Sequence, residues 1–102
     1  MESTAQPFDM RIAPDGVVWF SGEVDLAVVD RVLAAADEHV GRSVFVVDLS
    51  EVTFVDSAGL AAIIELGLRT RCPLVLRSPS PPVRRLLELV RLEGHGGIRI
   101  VD

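Results

Sequence analysis

Ser57 and the small residues around it are the part of this sequence best suited to chemistry. Ser57 lies in the run Asp56-Ser57-Ala58-Gly59, between a β-branched apolar run and a segment with helical spacing. A serine at the start of a helix can cap that helix, bind an anion or carry a phosphate. The residue types single out Ser57 and leave all three roles open.

A catalytic serine needs a base that a third group holds in place. His39 falls on the polar side of a predicted helix and His95 in a glycine-rich loop, and neither lies near Ser57 in sequence. No Gly-x-Ser-x-Gly elbow surrounds Ser57. We therefore predict no catalytic residue, and a small serine hydrolase is kept only as an alternative to test.

Carboxylate and metal chemistry find little support in the residue pattern. Asp48 and Asp56 could act as a pair, but we expect Asp48 at the end of a strand and Asp56 at the start of a helix, both common structural positions. Two histidines and the single Cys72 lack the paired spacing of metal ligands. We expect Cys72 to be a small packed residue, and we predict no metal and no cofactor in the chain itself.

Composition and charge narrow the class of protein and its partners. With 102 residues, of which 49% are hydrophobic and 25% charged, we expect one soluble domain over residues 1–102. All 10 basic residues are arginine, which excludes a phosphate-loop lysine and a Schiff base. The net charge of -5 argues against binding nucleic acid or an anionic membrane. Without a long apolar run or a signal-peptide pattern, we expect a cytoplasmic protein.

The hydrophobic pattern of the first half predicts a hairpin and a helix. Residues 8–12 alternate like a half-buried strand, residues 13–16 form a turn with proline and glycine, and residues 17–20 form a second strand. Asp25 is a good N-cap for the following helix, and Gly41 ends it. The apolar stripe of that helix comprises Val29, Val32, Leu33, Ala36 and Val40.

The second half repeats a strand-then-helix pattern. Residues 44–49 predict a buried strand, residues 74–76 a short one and residues 98–101 a last one. The helix after Asp56 has an apolar face of Leu60, Ile63, Ile64, Gly67 and Leu68. Ser80 is predicted to cap a third helix, which the glycine-rich residues 94–97 end. Its core-facing residues are Val83, Leu86, Leu87 and Val90.

The resulting order is β-β-α-β-α-β-α-β. Single helices between strands imply right-handed crossovers and parallel neighbours, whereas the opening hairpin adds one antiparallel edge strand. Since each helix has one apolar stripe, we predict an α/β fold in which a small mixed sheet has its helices packed mainly on one side.

Two details suggest that Ser57 does more than cap. Asp56 could cap equally well, which would leave Ser57 in the first turn with its hydroxyl free. The pair Ala58-Gly59 is also a poor helix start, because glycine costs about 1 kcal/mol relative to alanine. Such a cost is tolerated where another backbone must approach closely.

Two motifs at this spacing resemble the STAS domain of bacterial anti-sigma factor antagonists. The longer is residues 48–60, DLSEVTFVDSAGL, and the shorter is Gly22-Glu23-Val24-Asp25. The likeness covers nearly the whole chain, from the opening hairpin to the run from Ser80 into the third helix. It implies a STAS-like fold and a regulatory protein rather than an enzyme.

The resemblance also implies a modification site and a partner-binding surface. In the family, a serine-kinase anti-sigma factor phosphorylates the serine after the aspartate, which here is Ser57. A second hydroxyl often follows in the family, but Ala58 stands here, so only one acceptor is present. The implied partner-binding residues are Gly22, Glu23, Asp25, Asp56, Ser57, Ala58, Gly59 and Leu60.

The implied function is a protein-binding switch. The unphosphorylated form would capture the anti-sigma factor and release a sigma factor, while the kinase would bring its own ATP and magnesium. A serine phosphatase is a further candidate partner. The alternative is an accessory subunit of another assembly, such as a transporter, in which Ser57 is only a cap. Residues 69–73, where the family often has glycines, and the lack of lysine leave the identity of the partner open.

Overall fold

A computed structural model describes residues 6–39, 42–94 and 97–102 of the chain. Its strands are β1 (Asp9–Ile12), β2 (Val18–Val24), β3 (Phe45–Val55), β4 (Leu74–Arg77) and β5 (Ile98–Val101). Its α-helices are α1 (Val29–Ala34), α2 (Ser57–Thr70) and α3 (Pro81–Leu89). Across these ranges, no helix is both long and apolar enough to cross a membrane.

The five strands form one sheet in the order β1-β2-β3-β4-β5. β1 pairs with β2 antiparallel, and the remaining three pairs are parallel. A helical segment connects each parallel pair, as a crossover between parallel strands requires. The predicted element order and the single antiparallel edge strand are confirmed.

One face of the sheet and the apolar stripes of the helices form a single buried cluster. Alternate strand residues point into it, as the two-residue period of a strand requires. The largest fully buried members include Phe20, Phe45, Leu49, Ile63, Leu66, Leu74, Leu76 and Leu87. Because α1, α2 and α3 all contribute to this one cluster, the helices cover one side of the sheet, as predicted.

The opposite face of the sheet, here called the open face, carries a row of polar and aromatic side chains. Register places Arg11, Trp19, Asp48 and Arg77 side by side on neighbouring strands. The guanidinium carbons of Arg11 and Arg77 lie 4.7 and 5.2 Å from the centre of the Trp19 ring. These long side chains cover apolar surface on the face opposite the described helices.

β3 is longer than predicted, and Asp48 lies in its middle rather than at its end. Trp19 pairs with Asp48, whereas Ser21 pairs with Glu51 and Glu23 with Phe54, so β3 contains two extra residues relative to β2. Such bulges bend a strand and let its alternation restart. Asp48 therefore lies within the strand and does not end it. Its side chain points to the open face.

The first helical segment is less regular than predicted. A 3-10 turn (Leu26–Val28) precedes α1, and a second 3-10 segment (Ala35–His39) follows it. Val32 is buried as expected, and Ala35 is buried too, although the predicted stripe omitted it. The predicted Val40 stripe position and the Gly41 stop lie outside the described residues, as do His95 and Gly96 of the later glycine-rich break.

Two predicted core positions and one predicted cap are wrong. Leu68 of α2 is 66% exposed, and Val90 follows the end of α3 as an exposed residue. Ser80 occupies the N-cap position of α3, but its side chain does not cap. Its hydroxyl instead donates to the Val52 carbonyl at 2.5 Å, which ties the start of α3 to β3.

Candidate functional site

The parallel pairing of β2 and β3 brings two helix starts together. Val24 pairs with Val55, so the chain leaves both strands at the same edge of the sheet. Asp25 follows the first strand and Asp56 the second, and each is the N-cap of the helical segment that follows. In open sheets of this kind, binding sites form beyond the carboxyl ends of the parallel strands. We call this region the site edge.

Asp56 joins the two helix starts through one carboxylate. Its Oδ1 accepts a hydrogen bond from the Gly59 N–H at 2.7 Å, which caps α2. Its Oδ2 accepts from the Leu26 N–H at 3.2 Å, in the 3-10 turn before α1. Its own N–H donates to the Val24 carbonyl at 3.2 Å. One carboxylate therefore hydrogen-bonds to the first turns of both helical segments.

Asp25 acts only within its own turn. Its Oδ1 accepts from the Ala27 N–H at 3.1 Å, as in an N-cap. The predicted capping role of Asp25 is confirmed, although the segment that it caps begins as a 3-10 turn.

Ser57 is the first residue of α2 and is exposed. Since Asp56 supplies the cap, the Ser57 side chain is not needed for that role. Within the described ranges, its hydroxyl has no hydrogen-bond partner. The hydroxyl is consequently open to an incoming phosphoryl group at a helix N-terminus, where negative charge is favoured.

The surroundings of Gly59 explain why a residue with low helix propensity lies in the first turn of α2. It is buried, and a Cβ at this position would overlap the carbonyl oxygen of Val24. Only glycine lets the end of β2 lie this close to the first turn of α2. The backbone that approaches Gly59 closely is that of the chain's own β2, the strand that leads to Asp25.

The eight predicted partner-binding residues divide by burial. Ser57 is exposed, and Glu23, Asp25, Asp56 and Ala58 are half-buried, whereas Gly22, Gly59 and Leu60 are buried. Gly22 has a φ of +78°, and a Cβ there would overlap the Pro7 carbonyl. These three buried residues offer little surface to a partner, because the two glycines lie against neighbouring backbone and Leu60 belongs to the core.

The structure keeps the two candidate carboxylates, Asp48 and Asp56, apart. Asp48 and Asp56 are eight residues apart along β3, which at about 3.3 Å per residue separates them far beyond the reach of a carboxylate pair. No group of three His, Cys, Asp or Glu side chains within the described ranges could hold a metal ion. Cys72 is half-buried, and His95 lies outside those ranges.

Asp48 is held in a separate network on the open face. It is 2% exposed and accepts from the Ser50 hydroxyl at 2.6 Å, the Ser50 N–H at 2.9 Å and the Arg77 Nε at 2.8 Å. Burial opposes ionisation of this carboxyl, but the bonds from Ser50 and the Arg77 guanidinium outweigh it, so its pKa is below the ordinary value.

An apolar groove beside Ser57 was not predicted. It lies between the first helical segment and α2, is open to solvent with a volume of about 460 Å³, and is bordered by two exposed leucines, Leu26 and Leu68. The misassigned Leu68 was the available signal, because α2 is apolar over more of its circumference than one core-facing stripe needs. The bond from Leu26 to Asp56 had no sequence signal, since it joins residues thirty positions apart.

Comparisons with known proteins agree with this fold. The family model described as Mlab, STAS domain, matches residues 10–102. A search by sequence among curated proteins finds no match.

Among solved structures, a candidate anti-sigma factor antagonist from Thermotoga maritima is 23% identical, with a TM-score of 0.70 over 93% of this chain and 86% of that one. An anti-sigma factor antagonist from Mycobacterium paratuberculosis is 26% identical, with a TM-score of 0.65 over 91% and 84%. The anti-sigma factor antagonist SpoIIAA in its unphosphorylated form is 17% identical, with a TM-score of 0.63 over 94% and 88%. These proteins share the fold of this chain.

Proposed function

Since this chain belongs to the STAS domain family, whose model spans residues 10–102, we propose that it is an anti-sigma factor antagonist controlled at Ser57. In its unphosphorylated form it binds a serine-kinase anti-sigma factor and thereby releases a sigma factor. Phosphorylation of Ser57 by that kinase ends the binding. The protein acts by binding and catalyses no reaction itself.

This proposal rests on the observation that Asp56, and not Ser57, caps α2. Asp56 caps α2 and joins both helix starts, so the fold does not need the hydroxyl of Ser57. An exposed serine at N1, with its cap supplied by the preceding residue, can accept a phosphate without losing a structural bond. The helix N-terminus would stabilise that phosphate by about 0.3 to 1 kcal/mol, so the domain stays folded.

The phosphate lowers the affinity for the partner and leaves the fold unchanged. Ser57 and Ala58 form a small-residue surface on which a second protein can pack closely. Phosphorylation adds about -1.5 to -2 charge and three acceptor oxygens beside the Asp56 carboxylate. Leaving a charge unpaired in a closed interface costs about 3 kcal/mol or more, and each 1.4 kcal/mol is about tenfold in affinity. One modification is therefore enough to release the partner.

The chemistry of the switch is supplied from outside this chain. The kinase brings ATP and magnesium, and reversal requires a phosphoserine phosphatase. The solved structures of SpoIIAA in unphosphorylated and in phosphorylated form support the choice of a phosphate as the switch, because both share this fold.

Two measurements test the proposal. Mass spectrometry of the protein isolated from its own cells should map phosphate to Ser57. A pull-down with the Ser57→Ala and Ser57→Asp variants as baits should retain a kinase-type anti-sigma factor on the first and lose at least about tenfold of it on the second.

Ser43→Asp is the matched control, because Ser43 is an exposed serine before the opposite end of β3 and gains the same charge. It should bind like the unmodified protein. Phosphate on another residue, or full binding by Ser57→Asp, would contradict the proposal, and the latter result would favour an accessory subunit.

A further inference from the structure

The apolar groove between the first helical segment and α2 continues directly from the site edge. Leu26 and Val29 form one wall, and Ala58, Ala61, Ile64 and Leu68 form the other. Leu26 is 73% exposed and Leu68 66%, so two large apolar side chains stand in water at its borders. Leu26 follows Asp25, and Ala58 follows Ser57, which makes the groove and the phosphorylation position one continuous surface.

The shape of the groove fits a helix better than a small molecule. It is open, it lies between two helices, and its α2 residues recur at intervals of about one helical turn. The α2 side of the groove is rich in alanines, which let a third helix approach to a normal packing distance, while the bordering leucines can flank its sides. Of the described residues that line it, Glu65 alone is polar, whereas small-molecule pockets combine apolar walls with several convergent polar groups.

The charges around the groove define which helix fits. The carboxylates of Asp25 and Asp56 already accept backbone hydrogen bonds. Asp30, at the start of α1, is exposed and has no ion-pair partner within the described ranges, and Glu65 forms an exposed ion pair with Arg69 at 3.8 Å. Among the described residues, no arginine lines the groove. Asp30 follows Val29 of the groove wall and Glu65 lines the groove, so acidic groups outnumber the nearby base, Arg69, and favour a basic partner segment.

We propose that this groove binds an amphipathic helix of the partner protein, with its apolar stripe over Ala58 and Leu26 and its basic residues towards Asp30 and Glu65. The proposal rests on the proposed function, since this partner is the one that the Ser57 phosphate releases. Glu65 lies eight residues after Ser57, about 12 Å along α2 at about 1.5 Å per residue. A phosphate on Ser57 would thus meet the apolar stripe and not the basic residues.

A synthetic helical peptide tests this inference without the kinase. The fluorescein-labelled probe carries leucines at positions i, i+3 and i+7 with arginines at one end. Fluorescence anisotropy should show saturable binding, and amide chemical shifts should move at the groove residues. Leu26→Ser and Leu68→Ser should each weaken binding about tenfold, because each removes one leucine contact. Ser57→Glu should weaken it similarly.

Leu89→Ser is the matched control, because Leu89 is also 73% exposed but lies on α3 away from the groove. It should bind the probe like the unmodified protein. Glu65→Gln should weaken binding a few-fold at low salt, and the difference should fade as added salt screens the charges.

Several results would overturn the inference. These are no binding at millimolar probe, equal losses for Leu26→Ser and Leu89→Ser, or equal binding of a probe whose leucines are alanines. Sedimentation showing a dimer that Leu26→Ser dissociates would assign the groove to a second copy instead. Because the probe involves no phosphate transfer, binding of the peptide would stand even if Ser57 proved not to be phosphorylated. Equally, a peptide that does not bind would leave the phosphate mapping and the pull-down at Ser57 valid.

Discussion

Asp48 on the open face and Asp56 at the site edge are both hydrogen-bonded aspartates, yet they act on different parts of the structure. Asp48 accepts from the side chain and backbone of Ser50 and from Arg77, all within the sheet. Asp56 accepts from the first turns of two different helical segments. Asp48 forms its hydrogen bonds within the sheet, whereas Asp56 links α2 to the 3-10 turn before α1.

The surroundings of the two aspartates differ in how much apolar surface is exposed. On the open face, Arg11 and Arg77 lie against Trp19, so the side chains of the sheet cover their own apolar surface. At the site edge, Ser57 and the leucine-bordered groove are left exposed. A polar residue near the core is therefore no guide to function by itself. The two regions differ in the hydrogen-bond partners of the aspartate and in the apolar surface that is left exposed around it.

The largest effect is expected from breaking the site edge at Gly59. Gly59→Ala places a methyl group into the Val24 carbonyl, so β2 and α2 must separate, and the free energy of unfolding should fall by about 3 kcal/mol. Urea denaturation followed by Trp19 fluorescence measures it. Gly67→Ala in the same helix is the control, since its Cβ would lie 3.4 Å from the Leu74 side chain and should change stability by less than about 1 kcal/mol. Equal losses would contradict the assigned role of the Val24 contact.

A smaller effect is expected from breaking the open-face network. Asp48→Asn removes the charge that faces Arg77, so the free energy of unfolding at neutral pH should fall by about 2 kcal/mol, with binding through the site edge unchanged. A loss of partner binding at unchanged stability would show that the two regions are not independent.

The same variant should also show a pH dependence of defined sign. Because the pKa of Asp48 is lower in the folded state, its stabilisation is present above the ordinary value of 3.8 and is lost as the pH falls through the folded-state pKa. The stability gap between the original protein and Asp48→Asn should therefore narrow in acid. Denaturation curves from pH 7 down to about pH 2 measure this gap, and a gap that widens in acid would be inconsistent with the lowered pKa.

The smallest effect on stability is expected at Asp56. Asp56→Asn keeps one acceptor oxygen but turns an N–H donor towards another N–H, so one of the two bonds is lost. This should cost about 1 kcal/mol and speed hydrogen exchange at the Leu26 amide about fivefold. Asp25→Asn is the control, because asparagine can keep its single cap bond. Similar exchange at Leu26 in both variants would argue against the joining role of Asp56.

Much of the fold was predictable because it rests on local patterns. The turn before β2 forms as its residues require, with the Gly16 N–H donating to the Ala13 carbonyl at 2.8 Å and a φ of +88° at Gly16. Alternation predicted the strands, and single helices between them predicted parallel pairing. The errors occur where one pattern has two explanations. Leu68 continues an apolar stripe but borders a groove, and Asp48 resembles a strand end but points to the open face.

The sequence by itself determined the order of elements and the position of Ser57 at the start of α2, since residue type and spacing along the chain decide these. Tertiary structure alone decided that the Asp56 carboxylate reaches Leu26, that Gly59 lies against Val24 and that two leucines border one groove. These contacts join distant positions, and they exist only because parallel pairing of β2 and β3 brings two helix starts to one edge of the sheet.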